Sequence, residues 1–321
     1  MRYFGRKLLQ LVLILLAVTF LSFLMLNLLP GDTAVAVCGF GCDEEGIAEV
    51  REELGLNDSI PVRYVRWLGD AVTGDLGESA LTKQPVWEAI KQRMPVTLEL
   101  LIYSQVLALG IAIPAGIIAA QRPDGWFDKG SSIVAFILFA IPNFVLALVL
   151  VYWFAVKWQI FPATGYTQLT SDLPGSIYDN LKDLFLPAVT LAAAEMAVYL
   201  RLLRTDMIAT LQEDYITMAK AKGMPNRRIL LRHAFRPSTF SLVTVAGLNM
   251  GRLIGGTLVI EVIFALNGLG SYLVQGIFRR DYIAVQGAVV VIAVGYVLIN
   301  FLVDMLYAVL DPRVRHARAL T

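Results

Sequence analysis

The side chains able to do chemistry in this sequence are few and scattered. Its two histidines, His233 and His316, lie far apart, so no His-Glu-x-x-His helix face exists to hold zinc beside a general base. Cys38 and Cys42 are the two cysteines, with three residues between them and no histidine nearby, a poor set of zinc ligands. No metal site is expected. No Gly-Lys dipeptide occurs, which excludes a phosphate-cradling loop of the Gly-x-x-x-x-Gly-Lys type and ATP binding by that route. Ser104, Ser131, Ser132 and Lys157 have no paired base at a defined spacing, so nucleophilic catalysis is not expected either. The chain reads as a protein with no catalytic residues and no cofactor of its own.

What remains are charges set in apolar sequence: Glu195, Arg252, Glu261 and Asp304. At bilayer depth such groups are costly unless paired or hydrated. Two readings stand, an ion pair that fixes helix packing and a group that lines a hydrated passage. Arg252 lies beside Gly247, Gly251 and Gly255, a four-residue ladder that lets another helix approach closely, and Asn249 shares its stretch. Asn249 and Arg252 are the favoured lining residues, although such ladders also occur where no passage is near.

These charges need a bilayer around them. Apolar residues make up 57% of 321 positions and charged residues 17%, a balance that would leave large sticky patches on a water-soluble domain. The net charge of +1 offers no field for nucleic acid, and no nucleic-acid partner is expected. A span needs about 20 apolar residues, and residues 9–29 supply them without a charge. Further runs cover 98–120, 131–156, 186–203, 238–264 and 283–309. Arg2, Arg6 and Lys7 precede the first run, but its length and the lack of an Ala-x-Ala site make it a permanent span.

The expected fold is therefore an all-α polytopic membrane protein with six transmembrane helices. Lys and Arg concentrate in the segments that an inside N-terminus leaves in the cytoplasm, so both termini are read as cytoplasmic. The domains follow: a tail and first span over 1–29, an extracytoplasmic helical subdomain over 30–96, and a five-helix core over 97–321. The subdomain carries twice as many acidic as basic residues. One helix is expected after Asp43, with Ile47, Val50 and Leu54 at helical spacing and Gly55 as its stop, and another after Pro61 through Leu68, both lying flat over the outer mouth. Cys38 and Cys42 fall in this segment, where an oxidising compartment allows a disulfide; two free thiols are the alternative.

The longest cytoplasmic loop, 204–237, reads as two short amphipathic helices, 207–222 and 225–236, parted by Gly223. A glycine that tolerates left-handed backbone and a proline suited to a first turn make a sharp corner. Its second arm sets Arg227, Arg228, Arg232 and His233 around Ile229, Leu230 and Ala234. On composition alone this is also what a positively charged anchor at the lipid phosphates looks like.

Asp214-Tyr215, Ala219, Lys220, Ala221, Lys222, Gly223 and Arg232-His233-Ala234 closely resemble the signature loop of ABC importer permeases. The resemblance covers nearly the whole chain and points to the dipeptide, oligopeptide and nickel branch, as the first of its two permease subunits. Leu29-Pro30-Gly31-Asp32, Leu54-Gly55-Leu56, Gly74-Asp75-Leu76-Gly77 with Ser79, Arg93 with Pro95, and Pro142 with Phe144 look like that family. So do Leu186-Pro187-Ala188, Gly268-Leu269-Gly270 and Asp311-Pro312-Arg313-Val314-Arg315. Thr217 and Met218 replace the Glu-Ala of the general signature, so no carboxylate contact to an ATPase is carried over there. Asn267 stands where a proline is expected.

The resemblance implies a cytoplasmic (inner) membrane permease of a bacterium or archaeon, with no enzyme activity on this chain. Its implied partners are a second homologous permease, one or two ABC ATPases that carry ATP and Mg, an extracytoplasmic substrate-binding protein and the lipid bilayer. The loop would couple to the ATPase, and Glu195, Asn249, Arg252 and Glu261 would line the pathway or pair between helices. Peptide is the expected substrate, with nickel or glutathione on the same architecture as alternatives. An ion-driven secondary carrier, the reading from another class, would show inverted repeats and broken helices at matching positions, which the sequence does not display.

An impermeant thiol reagent applied to intact cells should label Cys38 and Cys42 after reduction and spare them before it if they are bonded. Failure of either to be labelled from outside after reduction would overturn the orientation.

Overall fold

A computed structural model of the protein describes residues 2–28, 34–35, 43–53, 55–169 and 175–310. Cys38 and Cys42, Leu54, the Leu29 to Asp32 motif, His316 and the Asp311 to Arg315 motif lie outside the described residues. The elements are α1 (Arg2–Leu28), α2 (Glu44–Glu53), α3 (Ile60–Thr73), α4 (Val86–Gln121), α5 (Trp126–Ala140), α6 (Asn143–Lys157), α7 (Gly175–Leu211), α8 (Asp214–Ala221), α9 (Asn226–Ile263), α10 (Leu269–Arg279) and α11 (Tyr282–Leu310). Among the described residues five helices are long and apolar enough to cross a membrane, and α5 with α6 makes a sixth span if the bent pair counts as one.

The chain divides into two compact units. The first comprises residues 1–97 and 267–298. Its small core joins Leu76, Val86, Ile90 and Leu269, with Trp67, Trp87, Tyr272 and Ile283 packed around them. Asp281 fastens one edge: its carboxylate accepts from the Ser79 hydroxyl and, at 3.2 Å, from the Ala284 amide in the first turn of α11. Both side chains are buried, so this charge has traded water for three donors, Ala80 N–H being the third. Gly77, at φ 84°, brings the chain so near α11 that a Cβ there would sit 2.9 Å from Ile283. Thr97 similarly caps α10 by accepting the Leu269 amide at 2.9 Å.

The second unit comprises residues 98–266 and 299–321. Its core is built largely on small side chains, Ala108, Ala112 and Ala120 of α4, Ala192 of α7 and Ala246 of α9, closing around Tyr199, Leu203 and Met207. Small residues are what apolar spans use to approach within van der Waals range, because lipid offers no hydrophobic drive to bring helices together. The central helix is α7, which packs on α5, α6 and α9. In its most apolar stretch 61% of residues are buried, against 11% for α1.

Three expectations are corrected. The run 131–156 is not one straight span: α5 and α6 meet at 103°. Pro142 has no N–H for the ladder and pushes Ile141 to extended backbone, φ −80° and ψ 124°, and hydropathy is blind to such a break. Residues 207–222 are not one helix, because α7 runs on to Leu211 and α8 begins anew at Asp214. Residues 225–236 are not a separate short helix: from Asn226 the backbone continues through a π-helical turn, Ile229–Ala234, into the span that ends at Ile263.

The glycine ladder is also uneven. A Cβ on Gly247 would meet Val303 of α11 at 2.4 Å, whereas one on Gly255 would meet nothing within 4 Å. Gly247→Leu should therefore lower the thermal midpoint of the detergent-solubilised protein, overpacking of this kind costing about 1–3 kcal/mol, while Gly255→Ala leaves it unchanged. Equal effects would mean that the α9 to α11 approach is not tight at Gly247.

Candidate functional site

The corner around Gly223 is a compact knuckle with a core of its own. Ile216 and Ala219 on one face of α8 pack against Ile229 at the start of α9, with Leu211 and Met224 alongside. Glu213 precedes α8 and Asp214 opens it, acidic groups favoured by the exposed amides of a helix start. Gly223 stands at φ +74°, and a Cβ there would meet nothing within 4 Å, so the demand for glycine is purely one of backbone conformation. The Lys222 amide bonds to Met218 and the Met224 amide to Ala219, which closes the end of α8.

A single hydrogen bond ties the two arms. The Tyr215 hydroxyl donates to the carbonyl of His233 at 3.3 Å. That carbonyl lies four residues before Pro237, which has no N–H to offer it in an α-helical ladder. Partial desolvation and the nearby Glu213 carboxylate push the Tyr215 phenol above its ordinary pKa. Of the residues singled out in this loop, Ala219 faces the knuckle's core, while Asp214, Tyr215, Lys220, Ala221, Lys222 and Arg232 are exposed and His233 is half-buried. Met218 and Leu231 add exposed apolar surface. Sidedness of this sort, a packed inner face and a basic, partly apolar outer face, suits insertion into a protein cleft.

The intramembrane candidates divide. Glu195 of α7 and Asn249 of α9 meet, the Asn249 amide donating to the carboxylate at 2.5 Å, and Arg252 is near enough to act on Glu195 electrostatically. Arg252 is exposed on the surface of this chain. Glu261 is completely buried but lies 12 positions beyond Asn249, about 18 Å along α9, so it belongs to a different level. Asp304 is half-buried near the end of α11.

Sequence reasoning missed two members of the Glu195 level. Tyr199, one helical turn from Glu195 and wholly buried, hydrogen-bonds Gln105 of α4 at 3.2 Å and also reaches the Glu195 carboxylate. Two further polar levels grip α7 nearer its ends. Toward its start, Glu99 accepts from Asn180 at 2.8 Å and from Tyr166 at 3.0 Å, and the Asn180 side-chain carbonyl accepts from Tyr103 at 2.9 Å. Burial and the Glu99 charge hold the Tyr166 phenol well above its ordinary value. Toward its end, Arg204 grips Asp128 with two guanidinium nitrogens, one at 2.6 Å. The signal available in sequence was polar residues one turn apart inside apolar runs, Glu99 with Tyr103 and Glu195 with Tyr199. Among the described residues no group of His, Cys, Asp and Glu could hold a metal ion.

An apolar bundle with polar levels along one spine and an exposed basic knuckle is the anatomy of a membrane transport component. The chain belongs to the family of binding-protein-dependent transport system inner membrane components, whose profile matches residues 112–316, and the N-terminal membrane component of the same systems matches residues 1–101. The chain is similar to the oligopeptide transport system permease protein AppB of Bacillus subtilis, 38% identical over 98% of this chain and 99% of that one. It is 33% identical to the dipeptide transport system permease protein DppB of Alkalihalophilus pseudofirmus over 98% and 99% of the two chains. A chain of the MetNI methionine ABC transporter in an inward-facing form shares the fold, with a TM-score of 0.53 and 17% identity over 69% of this chain and 96% of that one.

If Arg252 lines a passage, Arg252→Met should leave assembly intact and reduce uptake by roughly tenfold, the equivalent of about 1.4 kcal/mol in a transition state. Loss of assembly would assign Arg252 to packing, and wild-type uptake would remove it from both roles.

Proposed function

We propose that this chain is one of two permease subunits of an ATP-driven importer for di- or oligopeptides. The observation that carries the reading is its similarity, over almost its full length, to permeases named for peptide, oligopeptide and dipeptide transport. The chain forms half of the translocation route. Glu195, Asn249 and Arg252 present polar groups to that route, and a second permease supplies the other half. Both termini and the knuckle face the cytoplasm, and residues 30–96 face outward toward a substrate-binding protein.

ATP and Mg act on partner ATPase subunits, and this chain supplies the mechanical link. The knuckle suits that task because its angle is held at three points: the Gly223 backbone, the Ile216, Ala219 and Ile229 core, and the Tyr215 bond. A push on α8 is passed to α9 without slack, since α9 is continuous from Asn226 to Ile263.

Gly223→Val forces a β-branched side chain into left-handed backbone, a misfit of about 1–3 kcal/mol that tilts α8 against α9. The variant should insert and assemble but lose substrate-stimulated ATP hydrolysis and peptide uptake, whereas Gly223→Asn, which tolerates that backbone, should keep most of both. Normal uptake by Gly223→Val, together with no cross-link from a cysteine at Ala221 to the ATPase, would show that coupling runs elsewhere.

A further inference from the structure

Among the described residues the helix α3 has two apolar faces and only one of them is covered. Trp67 and Ala71 pack into the first unit's small core, and Tyr64 turns to α1, where its ring meets Phe20 and Phe23 at centroid distances of 5.1 and 5.7 Å. On another side Val62, Val65 and Val72, spaced three and seven residues apart with Gly69 completing the row, are 50%, 67% and 80% exposed. Arg63, Arg66 and Asp70 occupy the remaining sector, with Arg66 paired to Asp58 at 2.8 Å. A helix in water would have no use for the valine row.

Its depth explains the row. The Tyr64 hydroxyl lies 2.8 Å from the Thr19 hydroxyl and donates to the Leu16 carbonyl at 3.2 Å. Both partners sit inside the apolar stretch Gly5–Met25 of α1, six and nine residues before its end, or about 9 and 13 Å at the rise of an α-helix. A tyrosine side chain is shorter than that deeper reach, so the backbone of α3 lies at the boundary of the hydrocarbon. The guanidinium of Arg63 over the Phe23 ring, 5.9 Å from its centroid, fits a basic side chain bending back toward headgroups. Elsewhere around α1 the surface is also apolar and open, Leu13, Leu21 and Met25 being 57%, 55% and 69% exposed.

We propose that α3 is an interfacial helix whose Val62, Val65 and Val72 face is immersed among the acyl chains of the leaflet at the C-terminal end of α1, with Arg63, Arg66 and Asp70 at headgroup level. The partner is lipid, and Tyr64 is the pin that sets the depth. For α3 this replaces the expectation of a helix lying flat over the outer mouth. It is independent of which substrate the importer carries.

The full chain, with the subunits that co-purify with it, is reconstituted into phosphatidylcholine and phosphatidylglycerol vesicles containing a phosphatidylcholine with a diazirine in its acyl chain. After irradiation, adducts are mapped by mass spectrometry, with α1 as the internal positive control and the acidic α2 as the negative one. The expected result is acyl-chain adducts on residues 62–72 at a level comparable with α1 and far above α2. Val65→Glu with Val72→Glu should cut the α3 adducts severalfold and leave those on α1 unchanged. Labelled α1 beside unlabelled α3 in the unmodified chain would overturn the proposal, whether water or a partner subunit covers the row. The unmodified chain is decisive even if the double variant fails to assemble.

Discussion

A helix buried in an apolar bundle can carry charged and amide side chains only where neighbouring helices answer them, and α7 is held under that constraint. Its Asn180, Glu195 and Arg204 meet Glu99, Asn249 and Asp128, on α4, α9 and α5 respectively. In a low-dielectric interior a lost partner leaves a buried polar group at full desolvation cost, so these levels fix register more firmly than apolar contacts do. The alanines of α4, α7 and α9 then bring the backbones close enough for the short side chains to touch. Packing and polar pairing specify the same arrangement.

The knuckle applies the same economy of parts to a corner. A proline would ordinarily weaken the start of a span. Here Pro237 has no amide to offer the His233 carbonyl, and Tyr215 from the neighbouring helix makes use of it. The π-helical turn Ile229–Ala234 absorbs the local change in winding, as inserted π turns do at sites that serve function. Because α9 is unbroken from the knuckle to Ile263, the element that forms one arm of the knuckle is also the element that carries Asn249 and Arg252. A single helix thus runs from the knuckle to the level of Asn249 and Arg252.

In the first unit the Gly74-Asp75-Leu76-Gly77 motif and Ser79 acquire a physical meaning. Asp75 accepts the Gly77 amide at 2.8 Å and turns the chain, Leu76 enters the core, and Ser79 reaches Asp281 at the start of α11. Residues separated by some 200 positions are thereby latched, with both partners withdrawn from water. Such a contact resists slippage because the carboxylate oxygens already have donors, and shifting the segment would strand them.

Much of the architecture was legible in composition and periodicity. Runs of about 20 apolar residues locate spans because the bilayer demands internal satisfaction of every backbone group, and Gly223 with Pro225 announces a corner for stereochemical reasons local to those residues. The same local signals placed the helices near Asp43 and Pro61 and brought Glu195, Asn249 and Arg252 forward as candidates. Hydropathy could not show the 103° break at Pro142, the continuity of α9 through the knuckle, or the depth of α3, since each depends on where a backbone lies in relation to distant residues. Nor could it pair Glu195 with Asn249 and Tyr199 with Gln105, or join Tyr64 to Leu16, because a polar residue in an apolar run announces only that a partner is required. The sequence by itself determined which groups had to be satisfied, through the cost of burying them. Only the tertiary structure decided which partner satisfied each, because that choice is made by helices meeting in space.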